Sequence, residues 1–388
     1  MAIADDRIVL DGPYGTGNEK EMEVWHINVE LNLSEEQRTS VVFHSFQNVL
    51  TSLVEGIRSC VMSLDNPSIN IFTNTLAVGG QIKSSLNSLE DLIPLLLKLP
   101  ELVPVIVGEI VDAKKTCDEL RLTDPDDDLL KMKMDLFSQD LTWIENDLIP
   151  IILTRVGEMV KRLPLPANTW IVYKTDTILQ NMKNVMLAVA HGSRHATGLV
   201  FSEAERTKQG MHVLHLNIKG HLPGAIEFPP IFQDIMRDIL MNARKYCPPG
   251  GSIWGDMIND GQFFTIKVRD NGPGMLPEEV GDAVKFGFRG TNTKERRTLG
   301  GGYGLTKAYF FTKQFGGDFT IKSKLGVGAV FQCRIPVPAS FRVILPPEDE
   351  GCRAVLDEKQ RDVTKFEDSS ILAMPKDTYL RFTQSQTA

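Results

Sequence analysis

The chain has 388 residues, of which 42% are hydrophobic and 24% charged, with a formal net charge of −8. That length exceeds one ordinary domain, and the apolar share is enough for buried cores, which excludes wholesale disorder. The acidic balance excludes a nucleic-acid surface as the main partner. Cysteines 60, 117, 247, 333 and 352 make no CxxC pair and no metal-ligand spacing, so they read as free thiols of a reducing cytosol. The opening MAIADDRIVLDGPYG is acidic and has no apolar run, so no secretory leader is read and a cytoplasmic location is expected. The most apolar stretch, 92–111, carries Pro94, Pro100, Pro104, Lys98, Glu101 and Glu109. It is read as buried turns of a helical domain broken by prolines, with no insertion in a membrane.

In chain order, residues 1–33 form a glycine-rich, polar extension, apart from 25–33 (WHINVELNL), which alternates like a short strand. Ser34 followed by Gln37 is a capping-box pair, and the pattern turns helical from there. Phe43, Phe46, Leu50, Leu53, Ile57, Cys60 and Leu64 recur at spacings of three and four, an a/d seam. Helices are expected over about 69–98 and 101–121. The acidic run at 125–128 opens another, in which Leu130, Met134, Phe137, Leu141, Ile144, Leu148 and Ile151 repeat the seam up to the prolines near 163–166. A further helix covers 175–190. The stretch 34–195 therefore reads as all-helical, with two seams that call for partners.

After Gly198 the pattern changes to short strands and glycine-rich loops. Strands are expected at 211–219, 262–268, 319–323 and 330–336, the last two joined by a turn at 325–328. Helices are expected at 229–246 and 304–315, with a loop over 271–301. The polar tail, 339–388, reads as a partly disordered appendage.

Chemistry concentrates in three places. DNGPGM at 270–275 follows a strand, where a carboxylate can accept from an adenine amino group and a glycine lets the backbone approach the base. GGGYGL at 300–305 sets glycines ahead of a helix, where backbone N–H groups can cradle phosphates. Within DIMRDILMNARKY at 234–246, Asp238 and Asn242 share a helix face, with Lys245 further along. An amide oxygen there suits a Mg²⁺ that bridges phosphates, and a lysine neutralises them. Each piece alone has a bland reading as a turn, a hinge or a solvated side chain. Their order and spacing together do not.

Those three elements resemble the N, G1 and G2 boxes of the histidine-kinase catalytic domain, and FGFRG at 286–290 resembles its F box. The stretch 307–336 is similar to the closing helix, hairpin and glycine loop of that family, so the resemblance covers about 110 residues. It implies an α+β chain: an N-terminal helical dimerisation bundle over 34–195, then an α/β sandwich ATP-binding domain of the Bergerat type over 200–338. That sandwich is shared with gyrases, heat-shock chaperones and mismatch-repair ATPases. By the resemblance Asn242 holds Mg²⁺ and Asp270 binds the adenine of ATP. Gly272, Gly274, Gly300, Gly302 and Gly304 shape the pocket and Lys245 and Tyr246 line it, with Met275, Gly301 and Leu305 in the same loops. Many members carry Asn where this chain has Asp238. A carboxylate there serves as general base in the mitochondrial-type protein kinases, or it helps to hold Mg²⁺.

The segment VVFHSFQNVLTSL at 41–53 resembles the family's H box, with His44 as the phosphoacceptor. It departs from the pattern at Ser45, where the family has an acid that accepts the Nδ1 proton and leaves Nε2 nucleophilic. The other reading of His44 is a structural bundle residue. The implied function is ATP-dependent autophosphorylation of His44, then transfer to an aspartate of a response-regulator receiver domain. The enzyme would act as a homodimer and take its signal from another protein or a soluble cue. Three rivals stay open: a degenerate kinase acting as a phosphotransfer scaffold, a serine protein kinase with Asp238 as base, and a conformational ATPase.

Overall fold

A computed structural model describes residues 17–42, 89–123, 127–162, 169–192, 198–291, 301–338, 342–345 and 362–365, together with positions 72, 77 and 81. The first seam at 43–64, His44, Ser45, Gly300, Cys60 and Cys352 lie outside the described residues. The side chains of His191 and His195 do so as well.

The helical region begins as its capping signals direct. Ser34 and Gln37 exchange reciprocal hydrogen bonds of 2.9 and 3.2 Å, and residues 35–42 are helical. Helix α1 spans Leu89–Thr123. Helix α2, Asp128–Trp143, is capped by Asp127, which accepts from the Leu129 and Leu130 N–H groups. A π turn, Ile144–Leu148, leads into α3, Ile149–Arg162. The second seam, which called for a partner, is already buried within the single chain at Met134, Phe137, Leu141, Ile144, Leu148 and Ile151.

Two expectations fail here. The helices foreseen at about 69–98 and 101–121 are, over the described residues, one 35-residue helix that runs through Pro94, Pro100 and Pro104. Pro94 and Pro104 face solvent, where water can satisfy the carbonyls that a mid-helix proline frees. The stretch 34–195 is also not all-helical, because Trp170–Lys174 is a strand, β2.

The remaining elements form two sheets. Strand β1 is Glu23–Ile27, which shortens and shifts the strand foreseen at 25–33. After β2 comes α4, Thr175–Gly192, then β3, Leu199–Val200, β4, His212–Lys219, and β5, Ala225–Phe228. Helix α5, Ile231–Tyr246, is followed by β6, Ser252–Asn259, and β7, Phe263–Asp270. Helix α6, Gly304–Gln314, precedes the hairpin of β8, Asp318–Lys324, and β9, Gly328–Pro336. The larger sheet has seven strands in the order β1-β8-β9-β7-β6-β4-β3. It is antiparallel from β1 to β6, and parallel through β4 and β3. The tail adds β10, Arg342–Leu345, and β11, Asp362–Lys365, in a four-stranded sheet ordered β11-β10-β2-β5. Those strands correct the reading of 339–388 as a mere appendage.

One register row shows how the sheet makes its core. Met257, Ile266, Cys333, Phe319 and Ile27 stand side by side across five strands, and all are buried. Alternate residues of a strand point to one face, so this row and its neighbours meet α5 and α6 as one apolar layer. The same cluster includes Leu33, Val41, Trp170, Val172, Ile178 and Met182. The segments 23–41 and 170–190, foreseen outside the ATP-binding domain, thus pack into its core. Phe264 stacks on Phe228 at 5.2 Å and meets Trp170 edge-on at 6.4 Å, which joins the small sheet to the large one.

Candidate nucleotide site

The first loop is built on the end of β7. Asp270 is 5% exposed, and its Oδ1 accepts the Gly272 N–H at 2.8 Å. Burial pushes the carboxyl up to about 6, opposed by backbone N–H groups of Gly272 and Ala329 and by Arg269. Asn271 turns the other way, accepting from the Ser252 N–H at 2.9 Å and from Cys247 Sγ at 2.9 Å. The loop is then pinned to the β8–β9 hairpin, because Gly326 donates to the Pro273 carbonyl at 2.7 Å and Met275 donates to Ser323 Oγ at 2.9 Å. Gly274 has φ +70°, and a Cβ there would overlap the Lys324 carbonyl. Only glycine fits that corner. The carboxyl holds the loop through the Gly272 N–H and could also accept the amino group of a base.

The second loop meets α5. A Cβ added to Gly304 would stand 3.1 Å from Asn242 Nδ2 and 3.4 Å from Asp238 Cβ. The glycine thus lets the start of α6 lie flat against the face of α5 that carries both residues. Before it, Tyr303 stacks on Phe286 at 4.3 Å, tying GGGYGL to FGFRG. Gly302 holds φ +77°, Gly301 is half-buried, and Leu305 packs on the core. Lys245 Nζ rests over the Tyr246 ring at 4.9 Å. Of the predicted residues, Gly304 thus lies against Asn242 and Asp238, and Gly272 lies near the Tyr246 carbonyl.

Sequence reasoning missed a buried ion cluster behind this face. Lys307 is fully buried, with Nζ 3.2 Å from Asp238 and 3.7 Å from Asp234. Asp234 also meets Arg155 of α3 at 2.5 Å and Arg237 at 3.5 Å. Glu158 receives Arg155 at 2.9 Å and both Nη atoms of Arg237, at 2.6 and 2.8 Å. Burial works against the Arg155 charge, but Asp234, Glu158 and Asp238 together raise its pKa further above the ordinary value. The signal in the sequence was the i, i+4, i+8 series Asp234, Asp238, Asn242, which marks one face of α5.

Histidines outside the predicted site also have neighbours. His215 stacks on Trp254 at 5.6 Å, which also carries Arg269 at 4.7 Å. His221 lies 3.5 Å from the buried Glu227. His212 is buried, and burial with Arg244 and Arg206 nearby lowers its pKa. His26 is exposed on β1. Among the described residues no group of three or more His, Cys, Asp or Glu side chains could hold a metal. Mg²⁺ bound through phosphates needs only one or two protein ligands, all oxygens; Asn242, whose Nδ2 lies toward Gly304, could supply one through its Oδ1. Among the described residues no helix is long and apolar enough to cross a membrane.

Residues 229–339 match the family described as histidine kinase-, DNA gyrase B- and HSP90-like ATPase. The chain is 28% identical over 159 residues to the histidine protein kinase DivJ of Caulobacter vibrioides, covering 38% of this chain and 26% of that one. It is 28% identical over 103 residues to the sensor histidine kinase RppB of Synechocystis, covering 26% of this chain and 23% of the relative. Among solved structures, a mycobacterial sensor histidine kinase MprB covers 42% of this chain and 95% of that one, at 15% identity and a TM-score of 0.30. The chain spans about a quarter of the length of the curated relatives it matches. Residues 229–339 thus carry an ATP-binding domain of the histidine-kinase ATPase family.

Proposed function

We propose that this chain is an ATP-dependent histidine autokinase of a two-component relay, acting in the cytoplasm. The observation that carries it is the apposition of Gly304 with Asn242 and Asp238, on a helix whose sheet neighbour ends in the buried Asp270. In this reading Asp270 accepts from the adenine amino group, and the glycines around α6 let N–H groups and the helix N-terminus face the phosphates. Asn242 would hold Mg²⁺, which neutralises and orients phosphate oxygens when bound. Lys245, leaning on Tyr246, lines the same edge.

His44 is the proposed acceptor. It follows Val42 by two residues, and both Val41 and Val42 pack on the ATPase core. Its Nε2 attacks the γ-phosphorus, the bond to the β–γ bridging oxygen breaks, and ADP leaves. The imidazole is then dephosphorylated by an aspartate of a receiver domain. Ser45 accepts the Nδ1 proton weakly, so the self-labelling step should be slow. In domain terms, 89–162 is the helical region, and the ATPase unit takes in 23–42 and 169–338. Leu129, Met132 and Leu136 stand exposed along α2 and support a homodimer built on that helix.

Incubation with γ-labelled ATP tests the reading. Acid-labile, alkali-stable label should form in the wild type and vanish in His44→Gln while ATP binding is retained. Acid-stable label surviving in His44→Gln would replace it with the serine-kinase reading. ATP binding with no label at all would replace it with the scaffold reading.

A further inference from the structure

Asp238 is not held by its own helix alone. Its carboxylate meets Lys307 of α6 at 3.2 Å, Lys307 reaches Asp234 at 3.7 Å, and Asp234 meets Arg155 at 2.5 Å. Arg155 belongs to α3, which packs on α1 and lies outside both sheets. Lys307, Arg155, Asp234 and Asp238 are all buried. A buried ion network is a poor source of stability, since apolar groups of the same volume do as well or better. What it supplies is a fixed location for each charge, because desolvated charges this close are hardly screened. Here the last charge in the chain is one turn from Asn242, and both lie against Gly304.

We propose that Arg155, Asp234 and Lys307 are positioning residues that hold the Asp238 carboxylate at the phosphate end of the pocket. Helix α3 thereby sets the Mg²⁺-dependent part of ATP binding and the rate of phosphoryl transfer. The proposal rests on the reading of this pocket as an ATP site given above. It assigns to the helical region a direct electrostatic contact with the site. The base of the nucleotide, held by Asp270 on β7, lies beyond the relay, so ATP affinity without metal should not feel it.

The test uses the full chain and three readouts: ATP affinity in EDTA, ATP affinity in excess Mg²⁺, and the labelling rate at saturating ATP. In Arg155→Gln the affinity in EDTA should stay within about twofold of the wild type. The gain in affinity on adding Mg²⁺ and the saturated rate should each fall roughly tenfold, the scale of one misplaced charge-assisted hydrogen bond. Arg155→Lys, which keeps the charge, should recover most of both. If Arg155→Gln does not fold, the charge-balanced double variant Arg155→Gln/Asp234→Asn carries the same prediction. Unchanged metal gain and rate in a folded variant would overturn the proposal. So would a fall in EDTA affinity in step with the other two, which means general damage to the pocket. A wild type that binds ATP but forms no label rejects the kinase reading, and the metal gain alone then decides the relay.

Discussion

The two halves of the molecule bury their apolar residues in different ways. In the ATPase unit, rows of side chains cross the sheet and close against α5 and α6, and Trp170 and Ile27 arrive from distant parts of the sequence to finish the layer. In the helical region, α2 buries Met134, Phe137 and Leu141 but turns Leu129, Met132 and Leu136 outward. The first closes its sheet rows against its own helices; the second leaves a run of apolar side chains exposed along α2. The difference teaches where to expect stability and where to expect assembly. A sheet core specifies its contents by long-range pairing, whereas a helical seam specifies only a face and leaves the partner open.

The sharpest way to break that contrast is Trp170→Ala. If residues 169–192 belong to the ATPase core, the loss should be about 3–5 kcal/mol, seen as a lower urea midpoint for the unit that binds nucleotide. Asp270→Asn comes next. It should weaken ATP by roughly 10–100-fold, as expected for a lost charge-assisted hydrogen bond, with a melting temperature that does not fall. Gly274→Ala should cost about 1–3 kcal/mol, because its φ of +70° and the Lys324 carbonyl both oppose a side chain.

Smaller effects come from pH and from the outward face of α2. The folded Asp270 titrates at about 6 against an ordinary value of 3.8. Between those values the folded protein keeps a proton that the unfolded chain has released. Stability should therefore decline as pH rises from about 4 to about 6 and level off above. Nucleotide favours the ionised carboxylate, so ATP affinity should rise over the same window. Both slopes are to be measured as differences from Asp270→Asn, in which they should flatten. Leu136→Asp should shift unfolding by no more than about 0.5 kcal/mol yet reduce self-association in sedimentation. A large loss of monomer stability would instead mean that the face is already covered within one chain.

Much of the ATPase unit was legible because its signals are local. Gly and Asp at 270–274 specify a turn, and α5, α6 and the β8–β9 hairpin fall within one or two residues of their expected positions. Strand β6 was missed for a physical reason. Its inward positions are Ile253, Gly255, Met257 and Asn259, so the apolar alternation is interrupted by a glycine and an amide. Gly255 is needed there because Met236 and Leu240 of α5 press on it, at 2.6 and 3.0 Å from any added Cβ. Asn259 is buried because it donates to the Glu227 carbonyl at 2.7 Å. Strand β2 was missed because its partners, β5 and β10, lie far along the chain, beyond what a window of sequence shows. The ion cluster was hidden likewise. Lys307 sits in a helix placed only by its pattern, and Arg155 in a seam helix that gives no hint of Asp234, 79 residues later.

The most direct test of the site is a titration of wild type and Asp270→Asn with ATP and with GTP. An adenine amino group donates to a carboxylate, whereas guanine offers a carbonyl oxygen at that position. The wild type should prefer ATP by at least about tenfold, the scale of one buried acceptor left without its donor, and Asp270→Asn should lose most of that preference by losing ATP. Equal affinity of the wild type for the two nucleotides, or a preference unchanged in Asp270→Asn, would contradict the assignment of Asp270 to the base and with it the placement of the pocket.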